Sequence, residues 1–128
     1  MPLLPRLLVL CEDVEARAAL DQSLERCAVE RVYCASLGAL RQAVGAEDAH
    51  AVVYAEDRPG GRIRALLESP EVRQARLPVI AVSRFAGMRD YLAAMDAGAF
   101  DYVARPLHAD ELRRVIERAV GRARARAA

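Results

Sequence analysis

Five apolar runs divide the chain: Leu7 to Leu10, Arg31 to Cys34 less cleanly, Ala51 to Ala55, Val79 to Val82 and Tyr102 to Ala104. Short continuous runs of this kind read as strands covered on both faces. Between them the apolar positions change to helical spacing: Leu20, Leu24 and Cys27; Leu37, Leu40 and Val44; Ile63, Leu66 and Leu67; Met88, Leu92 and Met95; and finally Leu112, Val115, Ile116, Ala119 and Val120. Each set forms one stripe on a helix. Regular alternation of strand and helix predicts a parallel five-stranded sheet with five helices distributed over its two faces.

The punctuation falls at the joints of this pattern. Ser36 is placed to cap the second helix, Pro59-Gly60-Gly61 breaks the chain after the third strand, and Gly98 ends the fourth helix. Asp110 and Glu111 put negative charge in the first turn of the fifth, where the helix end is positive. Residues 1–121 read as one domain, and Arg122, Arg124 and Arg126 mark residues 122–128 as a basic tail or linker that continues or frays from the last helix.

Composition narrows the function classes. A chain of 128 residues can bury a full core without disulfides or metal. Its net charge of +1 gives no broad positive field, so the body of the domain is not an evident nucleic-acid or membrane binder. All the basic side chains are Arg, and no function follows from that. Cys11, Cys27 and Cys34 are an odd set without paired metal-ligand spacing, which argues against a disulfide framework and a structural zinc, and for a reducing cytosol. The apolar start is too short to span a bilayer and lacks the parts of a secretion signal. His50 and His108 stand apart from each other and from other ligand types, so neither reads as a catalytic base or metal site.

The segment from Leu77 to Pro106 carries Leu-Pro-Val-Ile-Ala-Val-Ser, a helical stretch, and then Asp-Ala-Gly-Ala-Phe-Asp-Tyr-Val-Ala-Arg-Pro. It resembles the second half of a response-regulator receiver domain, and Gly-Ala-Phe-Asp-Tyr looks most like receivers of nitrogen-regulation-type transcriptional activators. The resemblance covers roughly residues 6 to 120. It implies a flavodoxin-like, doubly wound sheet of order 2-1-3-4-5. It also implies a phosphoacceptor aspartate at the end of the third strand, four residues before a proline. Pro59 fixes that position on Ala55.

The same frame places Cys11 and Glu12 at the magnesium-binding acidic pair, Ser83 at the hydroxyl that senses the phosphoryl group, Tyr102 at the switch aromatic, Arg105 at the lysine and His50 where an aspartate often precedes the strand. Alanine offers no nucleophile and Cys11 removes a carboxylate, so Mg²⁺ binding is expected to be weak or absent. The bland readings are that Ser83 and Tyr102 are a polar strand end and a packed aromatic, and that Cys11 is an inert small apolar residue.

The leading expectation is therefore a pseudo-receiver: a non-enzymatic, phosphorylation-independent interaction module. Its protein partner or second copy would dock on the face of the fourth helix, fifth strand and fifth helix, which carries Arg89, Asp90, Asp101, Arg114 and Arg118. A fused output domain is allowed, with nucleic acid reached only through it. One rival is an active receiver phosphorylated on Asp57 by a histidine kinase, which needs a third strand two residues longer and loses the proline spacing. Another is a small-ligand sensor using the emptied crevice, although no Gly-rich phosphate loop follows the first strand. Glu12 and Arg105, each without its family partner, are expected to pair with each other, and the Arg105-Pro106 bond is expected to be cis.

Overall fold

All five apolar runs form strands in the computed structural model, which describes residues 4–46, 48–56, 62–84 and 87–127. The strands are β1 (Arg6–Cys11), β2 (Glu30–Cys34), β3 (Ala51–Glu56), β4 (Val79–Ser83) and β5 (Asp101–Ala104). They form one parallel sheet of order β2-β1-β3-β4-β5, as the resemblance implies. The helices are α1 (Val14–Leu24), α2 (Leu37–Ala46), α3 (Ile63–Glu68), α4 (Pro70–Ala75), α5 (Met88–Asp96) and α6 (Ala109–Ala127).

Side-chain alternation along the strands divides the interior into two cores. Leu7, Val9, Val53, Ile80, Val82 and Val103 pack with α1 and α6 through Leu20, Leu24, Leu112 and Ile116. Leu8, Leu10, Val52, Tyr54, Ala81 and Tyr102 face the other way, against Leu40 and Val44 of α2, Leu66 of α3, Val72 of α4 and Ala94 of α5. Because both faces are covered, β3 and β4 lack polar positions until they reach the carboxyl end of the sheet, and β1 has only Arg6 at its start.

Three features depart from the expected layout. There are six helices among the described residues where five were expected, because Ser69 is extended (ψ 138°) and Pro70 opens a new helix. A residue before proline is driven out of the helical region, and proline suits a first helical turn. The Met88, Leu92, Met95 stripe does not pack inward as a unit. Met88 is 69% and Leu92 50% exposed, and α5 seats on the sheet through Ala94 with Met95 half-buried. Finally, β3 runs one residue beyond Ala55, to Glu56.

The capping expectations hold where they can be followed. Ser36 Oγ accepts from the Ala39 N–H at 3.1 Å, and Gly98 ends α5 with φ 108°. The basic tail continues α6 as helix to Ala127. The Pro59-Gly60-Gly61 break lies outside the described residues.

Candidate functional site

Strand register brings the key positions to one end of the sheet. Cys11 of β1 stands beside Ala55 of β3, Ala55 beside Val82 of β4, and Glu56 beside Ser83. Ser83 in turn neighbours Ala104 of β5, and its carbonyl accepts from the Arg105 N–H at 2.7 Å. Cys11, Glu12, Ala55, Ser83 and Arg105 therefore rim the crevice beyond the strand ends, where open parallel sheets place their reactive groups.

The acidic and thiol groups at the rim each have a partner, whereas Arg105 does not pair with them. The Cys11 thiol is half-buried and donates to the Asp13 carbonyl at 3.4 Å, while the Asp13 carboxylate accepts from the Glu15 N–H at 3.1 Å and caps α1. Glu12 is exposed and meets Arg62, not Arg105, at 3.3 Å. The expected Glu12–Arg105 pair is thus replaced, because Arg62, just before α3, brings its guanidinium to the end of β1. Arg105 has no ion-pair partner among the described residues, and its buried Nε lacks a hydrogen-bond acceptor. The Arg105-Pro106 bond is cis, as expected.

A residue that the sequence pattern did not single out sits at the centre. Glu56 is buried, 4% exposed, with one carboxylate oxygen unpartnered. It accepts a hydrogen bond from the Ile63 N–H, the first residue of α3, while the Tyr54 hydroxyl accepts from the neighbouring Arg62 N–H at 3.1 Å. Together these two β3 side chains tie down the start of α3, whose own flanking residue, Arg62, offers no side-chain cap. Burial pushes the Glu56 carboxyl above its ordinary range, the Ile63 hydrogen bond opposes this, and Asp90 adds to it. The signal available in the sequence was weak: Glu56 is the first of three consecutive charged residues that follow a fully apolar run.

Alternation decides what Glu56 can replace. Ala55 belongs to the core on the α1 and α6 side, whereas its neighbour Glu56 points to the α3 and α5 side. Its carboxylate therefore does not occupy the place that an aspartate at position 55 would take. On that second side, the Ser83 and Tyr102 side chains are hydrogen-bonded to each other, and Tyr102 is buried with its ring edge-to-face on Tyr91 at 6.0 Å. Burial raises the Tyr102 phenol above its usual range, the Ser83 hydrogen bond lowers it, and Asp90 and Glu56 raise it further.

Several solved structures share this architecture. The receiver domain of a LuxO repressor protein from Vibrio parahaemolyticus matches with a TM-score of 0.79 and 16% identity, over 97% of this chain and 95% of that one. A CheY-like receiver protein from Methanospirillum hungatei matches at 0.77 and 20%, over 96% and 98%. The chain has the receiver fold. NtrX from Brucella abortus matches at 0.78 and 23%, with 97% of this chain covering 28% of that one. In sequence, the regulatory protein AtoC of Escherichia coli is 38% identical over 58 residues, which are 45% of this chain and 12% of AtoC. The chain thus spans well under two thirds of these longer regulators. No protein-family model matches it.

Within the receiver fold the remaining expected residues separate clearly. His50 lies at the amino end of β3, far from the crevice, where its Nδ1 accepts from the Arg6 N–H at 3.1 Å. His108 is exposed, and its carbonyl accepts from the Leu112 N–H at the start of α6. The rival acceptor Asp57 lies outside the described residues. The described residues do not fit a magnesium cage: cysteine stands at one acidic position, Glu12 is engaged by Arg62, and Ala55 has no side-chain oxygen.

The proposed docking face is formed by α5, β5 and α6, and on it Asp101 and Arg118 meet within the chain at 3.1 Å. Arg114 Nε donates to the Asp110 carbonyl at 3.2 Å, and Arg89 and Asp90 lie in the first turn of α5 beside the exposed Met88. Among the described residues no helix is long and apolar enough to cross a membrane.

Proposed function

We propose that this chain is a pseudo-receiver of the two-component type, a cytoplasmic regulatory module that works by protein contact and does not depend on phosphorylation. The observation that carries the reading is Ala55 beside Cys11, which leaves the reaction centre without its nucleophile or one metal carboxylate. The Ser83–Tyr102 contact supports it further, because the pair that would respond to a phosphoryl group is already joined. The module has no enzymatic activity. Its partner docks on α5, β5 and α6, and in a longer protein, as in AtoC and NtrX, it serves as an input domain for a fused output.

Phosphoryl transfer to a carboxylate relies on positioning and charge neutralisation, both of which require the missing groups. Incubation with Mg²⁺ and acetyl phosphate is therefore expected to leave the intact mass unchanged. A small donor needs no kinase, so the result reports on the site itself. A stable phosphoryl adduct that disappears in Asp57→Asn but persists in Ser83→Ala would overturn the proposal and make the chain an active receiver with a displaced acceptor.

A further inference from the structure

We propose that the end of the sheet opposite the crevice carries a binding cleft for a nucleoside di- or triphosphate. The cleft, of about 380 Å³, lies where α4, α5 and α6 converge. Arg73, Arg76, Arg122 and Arg126 line it around a floor that includes Leu67 and Val72, and none of its lining residues is acidic. The residues leading into β4 and β5, Leu77 and Gly98, border it, whereas the crevice follows the strand ends. The two sites are therefore distinct.

Positive charge gathers here on one small surface. Many arginines elsewhere meet carboxylates, among them Arg6 with Glu30, Arg31 with Asp21, Arg41 with Glu71, Arg62 with Glu12 and Arg118 with Asp101, while Arg17 and Arg114 are held singly by other groups. Among the described residues, none of the four cleft arginines has such a partner. The bland explanation is that they offset the negative carboxyl ends of α4, α5 and α6. Each helix end supplies at most about half an elementary charge, so an excess of about two and a half positive charges remains.

Two guanidinium groups are also held in place. Arg122 lies over the Phe100 ring at 5.3 Å, and Arg126 donates to the Arg76 carbonyl at 3.3 Å. Arg76 itself ends α4 in a left-handed conformation, φ 53°, which turns the chain at the cleft wall. Planar guanidinium forks match phosphate oxygens in pairs, and several held together favour an anion of more than one phosphate. The apolar floor suits a planar base, and a guanidinium face suits stacking on it. A recessed, partly apolar site fits a small molecule better than the convex backbone of a duplex. A neighbouring cleft shares Arg76 and Arg126 and adds Arg124 and His50 against Asp48, giving a longer anion room to extend.

The test is a titration of the whole chain with ATP in the absence of Mg²⁺, followed by amide chemical shifts and calorimetry. Shifts are expected at Arg73, Arg76, Gly98 and Arg122. Binding should weaken at least about tenfold in Arg122→Ala/Arg126→Ala and on raising salt from about 50 to 200 mM. Alanine at these exposed helical positions favours the helix, and an unchanged melting temperature confirms folding; Arg73→Glu gives an independent variant on α4. No saturable binding up to about 5 mM ATP overturns the proposal, since even a weak specific site would be filled. Shifts confined to Glu12, Ser83 and Arg105 do so as well. Pyrophosphate binding as tightly as ATP removes the nucleoside from the assignment. Tighter binding of duplex DNA or phosphatidylserine vesicles through the same arginines overturns it in favour of a macromolecular surface.

Discussion

At the residue scale, Glu56 is the group whose chemistry is most constrained. A buried carboxylate with an unpartnered oxygen is costly, and this one is retained where it caps α3 and lies near Ser83 and Tyr102. Its raised pKa fixes the sign of the pH effect. The folded state holds the proton more tightly than the unfolded state, so the stability this provides is present below the ordinary value of 4.5 and lost as pH rises through the folded value. Glu56→Gln removes the charge while keeping an oxygen for the Ile63 N–H. It is expected to stabilise the protein by about 1 kcal/mol at neutral pH, with the advantage shrinking in acid. Thermal melts of both proteins from neutral pH to below 4 check this, and a variant less stable at neutral pH, with the deficit vanishing in acid, would show that the charge itself holds α3.

The residue scale also shows what the sequence made legible. Ala55, Cys11 and Ser83 could be placed because a proline, a strand end and a short motif gave each a register, and the three lie at the same end of the sheet. Glu56 escaped because apolar runs were read to their last apolar residue, although a strand's final position may hold a charge. The Glu12–Arg105 expectation failed for a different reason. Two charges that lose their family partners need not find each other when a third, Arg62 at the start of α3, lies within reach of one of them, a proximity no sequence pattern specifies.

At the scale of elements, hydrophobic spacing identified every strand and the stripes of the helices, but spacing cannot say what covers a stripe. α5 makes the point: the period placed Met88 and Leu92 together, and the sheet leaves them in solvent. Met88, Tyr91 and Leu92 lie exposed together on one helix, and a contiguous apolar patch, unlike a single exposed side chain, suits a contact surface. Met88→Glu/Leu92→Glu is therefore expected to change stability by less than about 0.5 kcal/mol, since neither side chain fills the core, while abolishing association with the partner. Chemical denaturation and light scattering on the same samples separate the two effects. A large loss of stability would mean that these residues pack inward in solution and would remove α5 from the docking face. α4 was legible in principle, because Ser69-Pro70 disfavours continuing the helix of Ile63, Leu66 and Leu67 and proline suits a first helical turn, yet a single apolar position, Val72, gave the segment no stripe of its own.

At the scale of the whole molecule, the proposed pseudo-receiver, a switch without a phosphoacceptor, is useful only if its resting shape already binds. The joined Ser83–Tyr102 pair and the exposed α5 side chains give that resting shape a specific surface. On it Asp101 and Arg118 satisfy each other at 3.1 Å, with the Arg118 side chain 63% exposed. A surface pair of this kind contributes less than about 1 kcal/mol, so exchanging it for the same pair across a two-fold axis costs little. Apolar burial by Met88, Tyr91 and Leu92 then supplies the gain. Light scattering is expected to show concentration-dependent dimers of the wild type, unaffected by acetyl phosphate. Asp101→Arg should shift them toward monomer, because it leaves two arginines facing each other both within and between copies. A wild type that stays monomeric at about 1 mM, where even weak dimers form, removes self-association and leaves a different protein as the occupant of the face. Dimers that tighten on addition of acetyl phosphate would instead tie the surface to phosphorylation and contradict the pseudo-receiver reading at its root.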